Sequence, residues 1–333
     1  MDNQFKSLNP DLEQYLKSTF QGKHIKAKIF FIGDTGFIGK WFMYLARELN
    51  SLGLSTVQIV GMSRSNLSEN LNYGGIFKHL YIDQLKQLNL GEFTHIIWGA
   101  SSTSRNRIFE SSYNLFSDLL FQIKNQEFQG DFINLSSGAV YEKAFSEYGS
   151  IDEDSKQINI DQHDVSDYVK EKILFENGIN KLVTGFALNC VNARLFSFCG
   201  PGMPTGEGYA MSEFFQEVLN DNDILIKGNP NSLRTYMHPL DLVVIIMHLI
   251  IRYPKISNVN IGAGGSFTIY EFAKKISRLG KSKVLVDKNA NTQPIRHYVP
   301  AISLQKLIAD INPYFTTDKM LLNTFLYYRN QCR

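Results

Sequence analysis

Tyr168 and Lys172 are four residues apart in the run Tyr168-Val169-Lys170-Glu171-Lys172. On a helix that spacing puts both side chains on one face, one turn apart. An ammonium beside a phenol favours the phenolate and so lowers a tyrosine pKa from its usual value of about 10. A tyrosine lowered in this way is a usable general acid or base near neutrality. Earlier in the chain, DFINLSS (131–137) reads as a strand that ends in Ser136-Ser137-Gly138-Ala139-Val140-Tyr141. A serine hydroxyl at such a strand end can hold the oxygen that the tyrosine protonates and stabilise its charge. Ser137, Tyr168 and Lys172 are therefore the candidate catalytic residues. The spacing alone is weak, because with 16 tyrosines chance matches arise, and Tyr270 with Lys274 is one. That second pair follows NIGAGGSFT with no serine-ended strand before it, and reads as ordinary helix surface.

A second constellation lies nearer the N-terminus. The apolar run KIFFI (28–32) leads into Gly33-Asp34-Thr35-Gly36-Phe37-Ile38-Gly39 and then KWFMYLARELN. Glycines between a strand and a helix let the chain turn sharply and let a pyrophosphate approach the amides at the helix N-terminus, where the dipole favours an anion. Gly39 lets helix and strand pack closely. The pattern is GxxGxxG rather than GxGxxG, and its position between strand and helix gives it weight. Gly33, Thr35, Gly36, Phe37, Ile38 and Gly39 are candidate cofactor-binding residues. Asp34 is out of place, since its carboxylate would repel a pyrophosphate unless turned away. At the end of the second strand, VQIVG (57–61), an acid would hold the adenosine ribose of NAD. The chain has Met62-Ser63-Arg64 there. Arg64 can clamp a 2′-phosphate and stack on adenine, with Ser63 adding a hydroxyl. NADP(H) is favoured, and NAD(H) is the alternative.

These groups need a scaffold that brings strand ends together. Apolar runs at 28–33, 57–61, 95–100, 131–137 and within Val183–Phe198 alternate with helical spacings such as Phe42–Leu49 and Leu115–Ile123. That alternation predicts βαβ units and a doubly wound, mainly parallel sheet. Residues 1–24 read as an added helix, with Leu12, Tyr15, Leu16 and Phe20 on one face. After Gly200-Pro201 the pieces shorten: a helix at 212–219, a strand at 223–228, an apolar helix at 240–251, VNIG (259–262), a helix at 269–279, VLV (284–286) and two terminal helices. The expected organisation is an N-terminal extension (1–24), a dinucleotide-binding domain (25–200) and a smaller mixed α/β substrate domain (201–333), with a discontinuous boundary.

Composition narrows the function classes. The 333 residues carry 34 basic and 32 acidic side chains, a net charge of +2. That balance offers no electrostatic footprint for nucleic acid or an anionic membrane. Apolar residues make up 44% and charged residues 20%, as in an ordinary globular enzyme. Cys190, Cys199 and Cys332 form no CxxC pair, which argues against a metal site or disulfide framework and for a reducing compartment. The opening MDNQFKSLNPDLEQ lacks the basic start and apolar core of a signal peptide. The longest apolar stretch, Leu240–Ile251, falls short of the roughly 18 residues that span a bilayer. A cytoplasmic, soluble protein is expected.

Taken together, GDTGFIG, SSGAVY and Tyr168-x-x-x-Lys172-x-x-x-Glu176 resemble the extended short-chain dehydrogenase/reductase family of nucleotide-sugar epimerases, dehydratases and ketoreductases. The likeness runs over roughly residues 25–310 and continues through RLFSFCGP (194–201), LRTYMHPLDL (233–242), VNIGAGGSFTIYEF (259–272) and RHYVP (296–300). FIGKW, SSGAVY, RTYMHPLDL and RHYVP look most like the branch that makes deoxysugar nucleotides for bacterial surface polysaccharides. The resemblance implies a Rossmann domain, the catalytic set Ser137, Tyr168 and Lys172, and Lys172 on the nicotinamide ribose. It also implies Asp83 near adenine, Ala100 and Ser101 lining the cofactor, and Arg234 on the substrate diphosphate. Ser197 and Cys199 stand where the family often has R-x-x-N-x-Y-G-P; Ser197 is a candidate substrate contact, and Cys199 reads as buried packing. The dehydratases of this family carry an Asp-Glu pair after the serine; here Gly138 and Ala139 have no proton-transfer chemistry, which excludes that reaction. The implied function is NADP(H)-dependent reduction at C4 of a nucleotide-linked 4-keto-6-deoxysugar, with dTDP as the expected nucleotide. A 4-epimerase is the first alternative, and a non-catalytic Rossmann-type binding protein the lesser one. The likeness also implies a homodimer joined through helices near 106–125 and 168–180.

Overall fold

In a computed structural model the apolar runs become strands of one sheet. It describes residues 2–64, 76–101, 108–142, 149–162, 165–186, 188–204, 209–252, 257–309 and 312–331. The strands are β1 (Ile25–Ile32), β2 (Ser55–Ser63), β3 (Phe77–Tyr81), β4 (His95–Trp98), β5 (Asp131–Ser137), β6 (Cys190–Leu195) and β9 (Asn258–Ile261). They lie in the order β3-β2-β1-β4-β5-β6-β9, and all pairs are parallel. This is a doubly wound Rossmann sheet, whose order reverses between β1 and β4, where such sheets bind ligands.

The unbroken apolar runs have a simple cause: helices cover both faces. Ile29 and Phe31 point toward α3 (Phe37–Ser51) and α7 (Pro239–Arg252), while Phe30 and Ile32 point toward α4 (Ile108–Asn125) and α5 (Asp167–Phe186). On the second face Trp98 meets Phe116 edge-on at 5.0 Å and Phe175 at 5.3 Å. The expected strand character of Val183 is corrected. Phe175, Ile179 and Leu182 are buried at helical spacing, so α5 continues to Phe186 and only Cys190–Leu195 is strand.

The run VNIG, read as part of the smaller domain, pairs instead with β6 as the seventh strand of the main sheet. A row of amides crosses this edge: Asn134 donates to Asn192 at 2.8 Å, and Asn192 donates to Asn258 at 3.1 Å. The remaining pieces are α6 (Ala210–Leu219), β7 (Ile224–Ile226), β8 (Leu233–Arg234), β10 (Phe267–Thr268), α8 (Ile269–Gly280) and β11 (Val284–Val286). β7 pairs with β11 and β8 with β10, forming a small lobe over the carboxyl ends of the main strands.

The N-terminal segment forms two helices rather than one, α1 (Asp2–Leu8) and α2 (Leu12–Thr19), broken at Pro10. Phe5 sits fully buried among Trp41, Tyr44 and His238, and Phe20 stacks on His248 of α7 at 5.0 Å. The chain closes with α9 (Ser303–Ile308) and α10 (Thr317–Gln331), and the Tyr314 hydroxyl before α10 donates to Asp11. Among the described residues no helix is long and apolar enough to cross a membrane.

Candidate active site

A cavity of about 1070 Å³ opens over the carboxyl ends of β1, β4, β5 and β6 and is roofed by the small lobe. Its floor is the turn between β1 and α3, where Gly33, Thr35, Gly36, Phe37, Ile38 and Gly39 all line it. Gly33 adopts φ +95°, and a Cβ there would stand 2.7 Å from the carbonyl carbon of Gly99. A Cβ on Gly39 would stand 2.4 Å from the Asp34 carbonyl oxygen, so helix and turn approach as closely as only glycine allows. Helix α3 starts after Gly36 with no side-chain cap and no acid in its first turn, which leaves its first amides for an anion. Ser101 Oγ, on the cavity wall after β4, is buried without a hydrogen-bond partner. A dinucleotide pyrophosphate fits this cradle.

Asp34 does turn away. Its carboxylate is fully buried beneath the turn and lies 2.6 Å from His79 Nδ1, outside the cavity lining. Ser63, Arg64, Ala100 and Ser101 border the same cavity, and the Arg64 guanidinium donates to Ser111 Oγ at the start of α4, 3.1 Å away. Asp83 is not brought in. It lies exposed on the single-turn helix that follows β3, and its neighbour Ile82 takes the place at the wall.

Ser137, Tyr168 and Lys172 meet at the end of β5. The Ser137 hydroxyl accepts the Ala139 N–H at 3.2 Å, capping the tight turn at Gly138–Val140, and it lines the same crevice as the Tyr168 phenol. Burial holds the Tyr168 pKa above its ordinary value, and the nearby Ser137 hydroxyl only partly offsets this. With 39% of its surface exposed, Tyr168 forms cleft wall rather than sealed core. The expected lowering of this phenol by Lys172 is not met. Lys172 Nζ donates to the Leu135 carbonyl at 2.8 Å and lies 5.7 Å from the centre of the Tyr168 ring. The ammonium is thus directed at the strand and ring face rather than at the hydroxyl. Burial in turn lowers the Lys172 pKa to about 8, against the pull of Glu171 and Glu176.

Beneath these groups a buried network fixes the strand end. Arg194 on β6 donates to both oxygens of Glu176, at 3.0 and 2.7 Å, and Ser136 Oγ donates to the same carboxylate at 2.5 Å. Arg194 also donates to the Tyr141 hydroxyl at 2.7 Å, and Tyr141 donates to Asn260 on β9 at 2.8 Å. Such a fork-to-carboxylate pair is directional. It ties Glu176, one turn after Lys172, to the SSGAVY segment as one unit.

A sequence profile of the NAD dependent epimerase/dehydratase family matches residues 29–262. The chain belongs to that family. It is an enzyme of the extended short-chain dehydrogenase/reductase type, with a nicotinamide dinucleotide as its cofactor. Among curated relatives, the ADP-L-glycero-D-manno-heptose-6-epimerase of Brachyspira hyodysenteriae is 24% identical over 265 residues, covering 75% of this chain and 80% of that protein. The fold of the UDP-glucuronic acid 4-epimerase from Bacillus cereus in complex with NAD superposes with a TM-score of 0.75 at 17% identity, over 92% of this chain and 100% of that one. The dTDP-glucose 4,6-dehydratase from Bacillus anthracis str. Ames in complex with NAD gives 0.74 at 18% identity, over 91% and 96%.

This family member also places in its cavity residues for which the sequence reading assigned no role. Ser197 and Arg234 line it, and Arg234 is held by backbone: its Nη1 donates to the Arg296 carbonyl at 2.5 Å and to the Leu233 carbonyl at 2.8 Å. Tyr298, two residues on from Arg296, lies against Phe196 with centroids 4.6 Å apart, and its hydroxyl donates to the Leu195 carbonyl at 3.4 Å. Tyr209 also faces the crevice. RHYVP was a visible signal for Arg296 and Tyr298; nothing local marked Tyr209. Cys199 is fully buried with its thiol pushed up to about 12 by that burial, so it is packing. Tyr270 and Lys274 lie outside the cavity lining, on α8. Cys332 lies outside the described residues.

Proposed function

We propose that the enzyme reduces the C4 ketone of a nucleotide-activated 4-keto-6-deoxysugar with NADPH, supplying a deoxysugar for surface polysaccharide. The observation that carries this reading is the juxtaposition of Ser137, the Tyr168 phenol and Lys172 in one crevice with the glycine turn. A phenol whose pKa is pushed up holds its proton at neutral pH, and protonation of the ketone oxygen is what reduction asks of it. The bound dinucleotide would supply the hydride. Tyr168 gives its proton to the C4 oxygen while Ser137 donates a hydrogen bond to that oxygen, so charge developing on it is stabilised throughout. Lys172, still mostly charged at neutral pH, holds the nicotinamide ribose. The amides of Gly36 to Ile38 hold the pyrophosphate, and Ser63 and Arg64 hold the 2′-phosphate.

At the other end, Arg234, Arg296 and Lys227 line the cavity and offer positive charge to the diphosphate of a nucleotide sugar, with Ser197 as a further polar contact. Beside Ser137 the wall is Ala139, Phe196 and Tyr298, an apolar surface suited to a C6 methyl. Gly138 supports the exclusion of dehydration: a Cβ there would stand 2.6 Å from the Phe196 ring, so the position has neither an acid nor room for one. The sugar is read as dTDP-linked, the protein as cytoplasmic and homodimeric.

A 4-epimerase is the second reading, supported by a curated relative that is a heptose-6-epimerase. The same three residues would then act in both directions with retained NAD(P). Purified enzyme mixed with NADPH and a dTDP-4-keto-6-deoxyhexose distinguishes them. Stoichiometric loss of reduced-nicotinamide absorbance is the expected result. Inversion of the sugar with no net loss would replace the reductase by the epimerase.

A further inference from the structure

The acid inside the glycine turn has a dedicated partner, reached across a whole strand. β2 lies between β1 and β3, and Gly61 of β2 is in register with His79 of β3. The side chains of Asp34, after β1, and His79 meet over Gly61: a Cβ on Gly61 would stand 2.3 Å from Asp34 Oδ2. The carboxylate and the imidazole Nδ1 are 2.6 Å apart, with the His79 side chain 13% exposed and the Asp34 side chain 0%. Ser63 and the Thr35 amide also reach the carboxylate. Asp34, Gly61 and His79 thus form one fitted unit from three separate segments.

We propose that His79 is a positioning residue for the cofactor: its hydrogen bond holds the Asp34 carboxyl group under the turn and away from the crevice, so that a turn containing an acid still accepts an anionic dinucleotide. This rests on the reading of the turn as the pyrophosphate cradle. Without the imidazole, the carboxyl group would lose that partner and swing out toward the crevice, where it ionises. A carboxylate there opposes a pyrophosphate, since like charges in a poorly solvated site repel strongly.

The test is equilibrium binding of NADPH and of NADH, read by quenching of protein fluorescence, with thermal melting of each variant as the control for folding. His79→Asn is expected to weaken both dinucleotides by about tenfold or more, as a carboxylate released toward an anionic ligand would. Asp34→Asn alone is expected to bind as tightly as the unaltered enzyme or tighter. The double variant Asp34→Asn/His79→Asn is expected to recover most of the loss, a rescue that a purely structural role for His79 would not give. His79→Asn binding like the unaltered enzyme, or a double variant no better than His79→Asn, overturns the proposal. If His79→Asn does not fold, a loss of more than about tenfold in Asp34→Asn overturns it equally. Failure of the unaltered enzyme to bind either dinucleotide would count against the cradle itself rather than against the pair.

Discussion

Lys172 Nζ donates to the Leu135 carbonyl, two residues before Ser137 on β5. The lysine of α5 is therefore hydrogen-bonded to the strand that presents the serine, and the two halves of the proposed catalytic set are held by one bond. Its ammonium is present below the lowered pKa of about 8 and is lost above it. Rate profiles for reduction are expected to show an alkaline limb near pH 8, while Lys172→Met loses turnover at every pH along with affinity for dinucleotide. A profile flat to pH 10 would contradict this assignment.

Tyr168→Phe removes the proton donor and leaves the ring in place. Turnover is expected to fall by about 10²–10⁴, the usual contribution of a positioned acid, with dinucleotide binding nearly unchanged. Ser137→Ala should also lower kcat, by up to about 10³ as for a lost oxyanion donor. Single-turnover measurements with saturating NADPH check both.

Arg64 is the cationic group at the end of β2 where an NAD-selective site would carry an acid. Arg64→Ala is expected to raise KM for NADPH by about 10-fold or more, as loss of a charge-assisted pair would, while KM for NADH hardly moves. Equal effects on both cofactors would show that the residue does not read the 2′-phosphate.

Asp241 opens α7 and accepts the backbone N–H groups of Tyr314 and Phe315 at 2.8 and 3.1 Å. Burial nevertheless pushes its pKa from 3.8 up to about 7. Between those values the folded chain keeps a proton that the unfolded chain has released, so stability falls as pH rises from about 4 to 7 and levels off above. Thermal melting against pH should show that slope, and Asp241→Asn should flatten it.

Phe121 on α4 is 59% exposed, and Tyr113 on α4 and Val183 on α5 are also exposed. Those helices were the expected dimer contact, although positions 106 and 107 of the expected range lie outside the described residues. If the pair forms, Phe121→Glu should convert the dimer seen by light scattering to a monomer, since a buried unpaired charge at an apolar contact is costly.

Much of the molecule could be read from short-range pattern. The strands were visible because both sheet faces are covered, and the glycine turn because its function depends on three nearby positions. The tyrosine and lysine showed themselves through one helical turn. What escaped the sequence depends on distant segments. His79 meets Asp34 from 45 residues away, and Tyr298 reaches Leu195 from the far end of the chain. The electrostatic error at Tyr168 has the same origin. Spacing along α5 put the ammonium near the phenol but gave no sign that it would donate its hydrogen bond to the Leu135 carbonyl. VNIG was assigned to the wrong layer because a four-residue apolar run carries no information about which sheet it joins.

β9 enters the main sheet only after the chain has built much of the small lobe, and its Asn258 continues the amide row begun at Asn134 and Asn192. A cut at Gly200 would therefore leave a six-stranded remnant with a bare polar edge and no α7 to cover it. The two lobes are not interchangeable cassettes. Grafting a new sugar specificity onto this scaffold means replacing the inserted segments on either side of β9 while leaving that strand and its helix with the cofactor half.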